Sequence, residues 1–305
     1  MLVEHLIEPD FLTGVVASRR NYNDFLREFS RQSPRVVGQL QKFSKFRRKT
    51  LTTQSEQANE DQQGMLIELL NFIEETCLVE RCSGIDGNLS FFENCVNAHQ
   101  QFPSHVFCLN EHLEQRIEGV DILFSSDLNN GIGSLSNQKL VQKDLDKMAE
   151  VTADFLRLSS NITFVDPYFS ERIGMLNPMI KFIELCQTNS PLESKNISIL
   201  ARLCTKHESD QPSAQFMLDA LTGHQDFSFI GIESLSVSLL REKPQGELLH
   251  NRYIISGLGA LLWGIGLDER HSEVNDDVVM LNEEIFSKRF EQYSELKVFD
   301  VADSA

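Results

Sequence analysis

The stretch LLHNRYIISGLGALLWGIGLDE, residues 248–269, decides most of what the sequence predicts about the fold of this chain. It contains two apolar runs of strand length, joined through Gly257 and Gly259, which predicts a β-hairpin. His250 and Arg252 lie two positions apart in the first run, so a strand would direct both side chains to the same side. A charged pair in an otherwise apolar strand indicates either a binding site or a buried structural network.

The sequence on both sides of this hairpin predicts an α/β domain. Helical and strand patterns alternate from residue 145 to the C-terminus, which is typical of a sheet with helices on its faces. The predicted helices span 144–160, 175–187, 213–224 and 286–296. The predicted strands span 161–169, 197–204, 226–235, 248–257, 259–266 and 297–301.

The N-terminal part of the chain has a different character. Residues 1–118 predict a helical domain, with an amphipathic helix over 62–80 as its clearest element. Residues 119–144 include a polar, Gly-rich run from Asn129 to Ser136, which predicts a linker. We therefore expect a helical domain over 1–118, a linker over 119–144 and a mixed α/β sheet domain over 145–305.

Composition limits the classes to which the protein can belong. Of its 305 residues, 41% are hydrophobic, no run of 18 apolar residues occurs, and the acidic N-terminus is unlike a signal peptide. Six cysteines are too few for a disulfide framework, so we expect free thiols and a cytoplasmic location. The cysteines are Cys77, Cys82, Cys95, Cys108, Cys186 and Cys204.

Charge is distributed unevenly along the chain. The formal net charge is −17, but residues 19–49 contain ten basic and two acidic residues, a net charge of +8. The rest of the chain has 18 basic and 43 acidic residues, a net charge of −25. Aromatic residues interleave with the cations of this basic segment, a pattern that predicts nucleic-acid binding. The residues we assign to that surface are Arg19, Arg20, Arg27, Lys42, Lys45, Arg47, Arg48 and Lys49.

Two other interpretations of the basic segment stay open. Its aromatic residues are also compatible with an amphipathic helix that packs them in a core and leaves the cations to solvent or to the acidic body. A basic amphipathic helix at a membrane surface is the third possibility.

The order of motifs in the second half resembles the phospholipase D superfamily. That family has His-x-Lys, four residues, Asp, six residues and Gly-Ser. Here His250-x-Arg252 is followed by four residues, Gly257, six residues and Gly264-Ile265. The spacing agrees, whereas Arg252, Gly257 and Ile265 replace the family's Lys, Asp and Ser.

A closer resemblance is to the phospholipase D-like C-terminal domain of MIT-domain proteins. The shared features are the segment DPYF at 166–169, a following amphipathic helix and strand, HNRY at 250–253 and GLDE at 266–269. They cover residues 150–305. The resemblance implies a phospholipase D-like fold with His250 and Arg252 as catalytic residues if the protein is active. It also implies Asp166, Tyr168, Tyr253 and Gly264 as phosphate-binding residues.

The resemblance leaves the activity open. Active members bring two His motifs together, and this chain has only one, so catalysis would require a homodimer. The leading expectation is a phosphodiester-recognising subunit of a larger assembly that binds nucleic acid and protein partners. The alternatives are a membrane module that binds phosphoinositides without catalysis and a purely structural interaction protein.

No cofactor and no metal are predicted. The pairs Cys95-x3-His99 and Cys108-x3-His112 could present zinc ligands on helix faces, but they lack the CxxC knuckles that zinc sites usually show. The acidic residues Asp276 and Asp277 are interpreted as part of a solvated face.

Overall fold

The structure is a computed structural model that describes residues 1–54, 58–81, 84–203, 212–270 and 273–305. The chain forms two compact units, one of residues Leu2–Ser136 and one of Asn137–Ala305 with Met1. Each unit contains a β-sheet and helices, so the predicted α/β class is confirmed. Cys82 and Cys204, which were expected to be free thiols, lie outside the described residues.

The N-terminal unit is built on a five-stranded parallel sheet with the order β3-β2-β1-β4-β5. Its strands are β1 (Val3–Ile7), β2 (Arg35–Gln39), β3 (Leu78–Glu80), β4 (Val106–Leu109) and β5 (Asp121–Phe124). Its helices are α1 (Phe11–Val16), α2 (Arg19–Glu28), α3 (Phe43–Gln54), α4 (Glu60–Thr76) and α5 (Phe91–Gln101), and a 3₁₀ turn follows at Ser125–Asn130.

The N-terminal part of the chain was expected to be a helical domain, and it contains this parallel sheet in addition to its helices. The strands are three to five residues long, too short for a period-2 pattern to stand out in the sequence. They form because each one contributes apolar side chains to cores on the two faces of the sheet. One core contains Leu69 of α4, and the other contains Cys95 of α5 and Phe107 of β4.

The C-terminal unit is built on an eight-stranded mixed sheet with the order β13-β9-β8-β7-β10-β11-β12-β6. Its strands are β6 (Gln138–Gln142), β7 (Asn161–Val165), β8 (Lys195–Arg202), β9 (Ile232–Glu242), β10 (Arg252–Ser256), β11 (Gly259–Trp263), β12 (Asn275–Met280) and β13 (Phe299–Ser304). Its helices are α6 (Leu145–Leu158), α7 (Ile173–Gln187), α8 (Ala214–Thr222) and α9 (Glu283–Glu295).

The predicted hairpin forms the centre of this sheet. Strand β10 pairs antiparallel with β11, so that Ile254 faces Leu261, and antiparallel with β7 on its other side, so that Ile254 faces Phe164. Strands β7, β8 and β9 are parallel to one another. The apolar runs of β10 and β11 are explained by this position, because both strands have neighbours on each side and are covered on both faces.

Successive residues of the central strands contribute to different cores. Phe164 stacks on Phe182 of α7 at a ring-centroid distance of 6.0 Å. The next residue, Val165, joins a separate core with Phe286 and Tyr293 of α9. The sheet is thus covered on both faces, as alternating strand side chains require.

Three sequence expectations differ from the structure in this half of the chain. The predicted linker 119–144 contains β5 and β6, one strand of each sheet, and the two units divide between Ser136 and Asn137. The strand predicted at 226–235 begins at Ile232 and continues to Glu242. The acidic segment containing Asp276 and Asp277 is β12, in which Asp276 is buried rather than solvated. The sequence did not predict β6 or β12 as strands because both are rich in polar residues. Strand β6 is largely exposed at the sheet edge, and β12 contains a buried charge.

Candidate phosphate-binding site

One end of the C-terminal sheet gathers several segments that are distant in sequence. The parallel strands β7 and β8 end there, at Val165 and Arg202. Strand β10 begins there, because it runs antiparallel to β7 and pairs Tyr253 with Val165. Strand β11 ends there, because its Trp263 pairs with Arg252. The DPYF segment, His250, Arg252 and the segment after Gly264 therefore meet at one edge.

Tyr168 is the centre of this group. Its hydroxyl lies 3.3 Å from Nδ1 of His250, within hydrogen-bond distance. The guanidinium carbon of Arg252 lies over the Tyr168 ring at 4.7 Å from the centroid, and that of Arg202 lies over it at 5.3 Å. These are cation–π distances, so one aromatic ring orients two guanidinium groups and an imidazole. Tyr168 is 40% exposed, and His250 is exposed as well.

Asp166 is a buried residue that holds the backbone around Tyr168 in place. It is 3% exposed, its Oδ1 accepts a hydrogen bond from the backbone N–H of Tyr168 at 3.0 Å, and its Oδ2 accepts one from Leu267 N–H at 3.2 Å. Burial raises its pKa, against the opposing effects of these hydrogen bonds and of Arg252. Asp166 thus joins the DPYF turn to the segment that follows β11.

The segment Gly264–Arg270, which we call the cleft loop, is held by two further buried charges. Oδ1 of Asp276 accepts a hydrogen bond from Ile265 N–H at 3.0 Å, and Nζ of Lys143 donates to the Gly266 carbonyl. Lys143 is fully buried, with its Nζ 5.1 Å from the ring centroid of Trp263. Burial lowers its pKa to about 8, although Asp268 and Asp276 act to raise it.

An open cleft of about 750 Å³ lies beside Tyr168. Its described lining includes two cations, three carboxylates and an apolar part that contains Met175 and Met217. The charged lining residues are Arg172, Arg202, Glu171, Asp268 and Glu269. The volume of this cleft is within the usual range of small-molecule sites, and its lining is more highly charged than that of most.

Two of the sequence-predicted phosphate ligands lie apart from this cleft. Tyr253 is 2% exposed and belongs to the core with Tyr293, since it points to the opposite face of the sheet from its neighbour Arg252. Its hydroxyl accepts a hydrogen bond from Asn251 Nδ2 at 2.9 Å. Gly264 is needed for packing, because a Cβ there would lie 2.8 Å from Oδ1 of Asp276.

Part of the predicted nucleic-acid surface is committed to ion pairs within the N-terminal unit. Arg19 pairs with Asp61 at 2.8 Å, and Arg27 pairs with Asp24 at 3.0 Å. Arg20 lies 3.9 Å from the same Asp24. These contacts fit the interpretation in which the cations of the segment are neutralised by acidic residues, and they reduce its net positive field.

The basic residues of α3, and Lys42 just before it, form fewer ion pairs than those of α2. Arg47 lies 3.5 Å from Glu74, and Lys49 acts on Glu8 through its charge. Among the residues that the structure describes, no ion pair involves the remaining three exposed cations, which are Lys42, Lys45 and Arg48. The aromatic residues Phe43 and Phe46 are buried in the core rather than available to stack on bases.

The N-terminal sheet has a crevice of its own. The order β3-β2-β1-β4-β5 reverses direction between β1 and β4, the position at which open α/β sheets commonly bind ligands. There Glu8 Oε2 accepts a hydrogen bond from Asn110 N–H at 2.7 Å, and burial raises the pKa of Glu8. The two strand ends are therefore bridged by a side chain of the chain itself.

The sequence pointed to neither Arg202 nor Lys143. Arg202 ends a strand that was predicted, and a cation at the end of a strand beside DPYF is a signal that was available. Lys143 lay in the predicted linker and carried no such signal. In both cases the sheet order was needed to place the residue beside Tyr168 or under the cleft loop.

Comparison with known proteins adds little to this description. No family model matches the chain, and no curated protein matches it. Among solved structures, it is similar to TrmBL2, an archaeal chromatin protein reported to show a novel mode of DNA binding, at 12% identity and a TM-score of 0.28. The match covers 54% of this chain and 52% of that one, and a similarity this slight carries no functional argument.

No helix among the described residues combines the length and the apolar character needed to cross a membrane. Within the same ranges, no group of three His, Cys, Asp or Glu side chains is arranged to hold a metal ion. Cys95 and Cys108 are buried thiols whose pKa values are raised by burial.

Proposed function

We propose that the C-terminal unit recognises a phosphate group in the cleft beside Tyr168. The observation that carries this proposal is the convergence of Arg202, Arg252 and His250 on one partly exposed tyrosine. Guanidinium groups provide the planar pairs of donors that phosphate oxygens accept. The Nε of Arg252 is buried and has no hydrogen-bond partner within the described residues.

The geometry favours binding over hydrolysis. Tyr168 rather than a carboxylate contacts Nδ1 of His250, and Gly257 provides no side chain to orient the imidazole. A neutral hydroxyl holds the ring in place but stabilises an imidazolium less than a carboxylate does. We therefore assign His250 to phosphate binding. The spacing from His250 to Gly264, which resembles phospholipase D, supports the choice of phosphate as ligand.

Binding of simple phosphates tests this function. Calorimetric titration with inorganic phosphate and with dimethyl phosphate should give binding that weakens at least tenfold in Arg252→Ala. Arg241→Ala, an exposed arginine of β9, is the matched control and should bind as the wild type does. Unchanged affinity in a folded Arg252→Ala variant would exclude this site. Metal-independent cleavage of a phosphodiester, abolished in His250→Ala, would instead establish the enzymatic alternative.

A second candidate function belongs to the N-terminal unit. The exposed cations Lys42, Lys45 and Arg48 lie at α3 without ion pairs among the described residues, which favours contact with nucleic-acid phosphates. Anionic vesicles, duplex DNA and single-stranded RNA, offered in competition, separate the nucleic-acid partner from the phosphoinositide and structural alternatives. Binding to vesicles that survives excess DNA would favour the membrane alternative, and binding to none would favour a protein partner.

A further inference from the structure

The cleft contains a carboxylate that a phosphate alone does not explain. Glu171 lines the cleft, and its Oε2 is buried without a hydrogen-bond partner within the described residues. A buried carboxylate oxygen without a donor is costly, and native structures rarely leave one unpaired. Glu171 therefore gives the cleft wall a carboxylate that lacks one protein donor.

A second cleft carboxylate, Asp268, is held in a defined position. It belongs to the cleft loop, whose backbone is bound at Ile265 by Asp276, at Gly266 by Lys143 and at Leu267 by Asp166. Its Oδ2 accepts a hydrogen bond from Arg270 Nε at 2.8 Å, which leaves its other oxygen free of that contact. Three buried charges on successive residues make this loop a built part of the cleft.

The charge of the unit disfavours a long polyanion in this cleft. Residues 137–305 contain 16 basic and 26 acidic residues, so their formal charge is 16 − 26 = −10. Proteins that bind a nucleic-acid strand through its backbone use a positively charged groove. A cleft of about 750 Å³ in a unit of this charge suits a small ligand with one anionic group.

We propose that the ligand of this cleft is a low-molecular-weight phosphate ester of a polyol, such as a sugar phosphate or a nucleoside monophosphate. The phosphate binds Arg252, Arg202 and His250, and the hydroxyl groups donate hydrogen bonds to Glu171 and Asp268. This inference rests on the proposed phosphate site and adds the class of molecule that the phosphate belongs to.

A pair of phosphate esters of similar length tests the inference. Ribose 5-phosphate has the hydroxyl groups and pentyl phosphate lacks them, so we expect ribose 5-phosphate to bind at least tenfold more tightly in calorimetric titrations. Glu171→Leu should reduce this ratio to below threefold, and Glu171→Gln, which keeps the shape, should reduce it in part. Glu291→Leu, the same change at an exposed position of α9, should leave the ratio unchanged.

The outcomes separate this inference from the proposed function. If both esters bind equally and Arg252→Ala weakens both, the phosphate site stands and the polyol inference is overturned. If neither ester nor inorganic phosphate binds, both proposals fail. A single-stranded 12-mer that binds more tightly than ribose 5-phosphate, through Arg252, would also overturn the inference. Adenosine 5′-monophosphate assigns the class further: tighter binding than ribose 5-phosphate supports a nucleotide, and weaker binding supports a sugar phosphate.

Discussion

The hydroxyl of Tyr168 lies 3.3 Å from Nδ1 of His250, although the two residues are 82 positions apart in the chain. A hydrogen bond at Nδ1 fixes the orientation of an imidazole ring and leaves Nε2 to face a ligand. The contact exists because β10 begins where β7 ends. It joins the DPYF and HNRY segments into one site.

Removing the Tyr168 hydroxyl should change the tautomer of His250 and weaken phosphate binding without unfolding the protein. In Tyr168→Phe, the ring that packs against Arg202 and Arg252 stays, while the hydrogen bond to His250 is lost, with an expected cost of about 1 kcal/mol in phosphate binding. The tautomer of His250, followed by nitrogen-15 NMR, should shift as well. Tyr22→Phe, which removes a hydroxyl bonded to Glu68 in the N-terminal unit, is the control. An unchanged His250 signal would show that the contact is not formed in solution.

Lys143 makes the stability of the C-terminal unit increase with pH in the alkaline range. Burial lowers its pKa to about 8, from an unfolded value near 10.5. The charge of Arg270 also lowers this pKa, whereas the charges of Asp268, Asp276 and Asp166 raise it. Between these values the unfolded chain binds more protons than the folded one. The contribution of Lys143 to the unfolding free energy therefore rises with pH from 8 to 10.5, by at most about 1.4 kcal/mol per pH unit.

The single tryptophan provides the measurement for Lys143. Trp263 is buried in the same unit, 5.1 Å from Lys143 Nζ, so urea unfolding followed by its fluorescence reports on this unit. Relative to Lys143→Met, the wild type should gain stability as pH rises from 8 to 9.5. Equal pH dependence in the two proteins would mean that Lys143 keeps an ordinary pKa. Amide exchange at the cleft loop should be faster in the variant.

Lys195 is expected to be essential for the stability of α6. Its buried Nζ donates to the carbonyls of Leu156, Arg157 and Ser159, where this helix ends. Lys195→Met removes three buried hydrogen bonds at once and should destabilise the unit by roughly 3 kcal/mol. Lys181→Met, at a partly exposed lysine of α7, should cost less than about 0.5 kcal/mol. A loss below 1 kcal/mol for Lys195→Met would show that water replaces the ammonium.

The basic surface at α3 predicts a graded response to charge reversal. Lys45→Glu and Arg48→Glu should each weaken binding to any nucleic acid to a similar degree, and each should reduce the salt dependence by about one counterion. Arg19→Glu and Arg27→Glu change cations that already pair with Asp61 and Asp24, so their effect should be smaller. Equal losses at all four positions would indicate a general effect of net charge and contradict a surface centred on α3.

The sequence by itself predicted the elements with long, unbroken patterns. The hairpin of residues 248–269 and helices α6, α7 and α9 had clear apolar periods, and the structure confirms them. Because local periodicity follows from one face or both faces being buried, it can be recognised without knowing the neighbours. His250 and Arg252 were expected on one strand, whereas β10 begins at Arg252 and His250 lies just before it.

Only the tertiary structure decided which residues share the cleft. Lys143, Asp166, Arg202 and Asp276 meet near one sheet edge because of strand order, and strand order depends on long-range pairing that no local pattern records. The short N-terminal strands were missed for a related reason, since three to five residues are too few to show a period. Strand alternation likewise separated Tyr253 from Arg252, placing Tyr253 in the core and Arg252 over the ring of Tyr168.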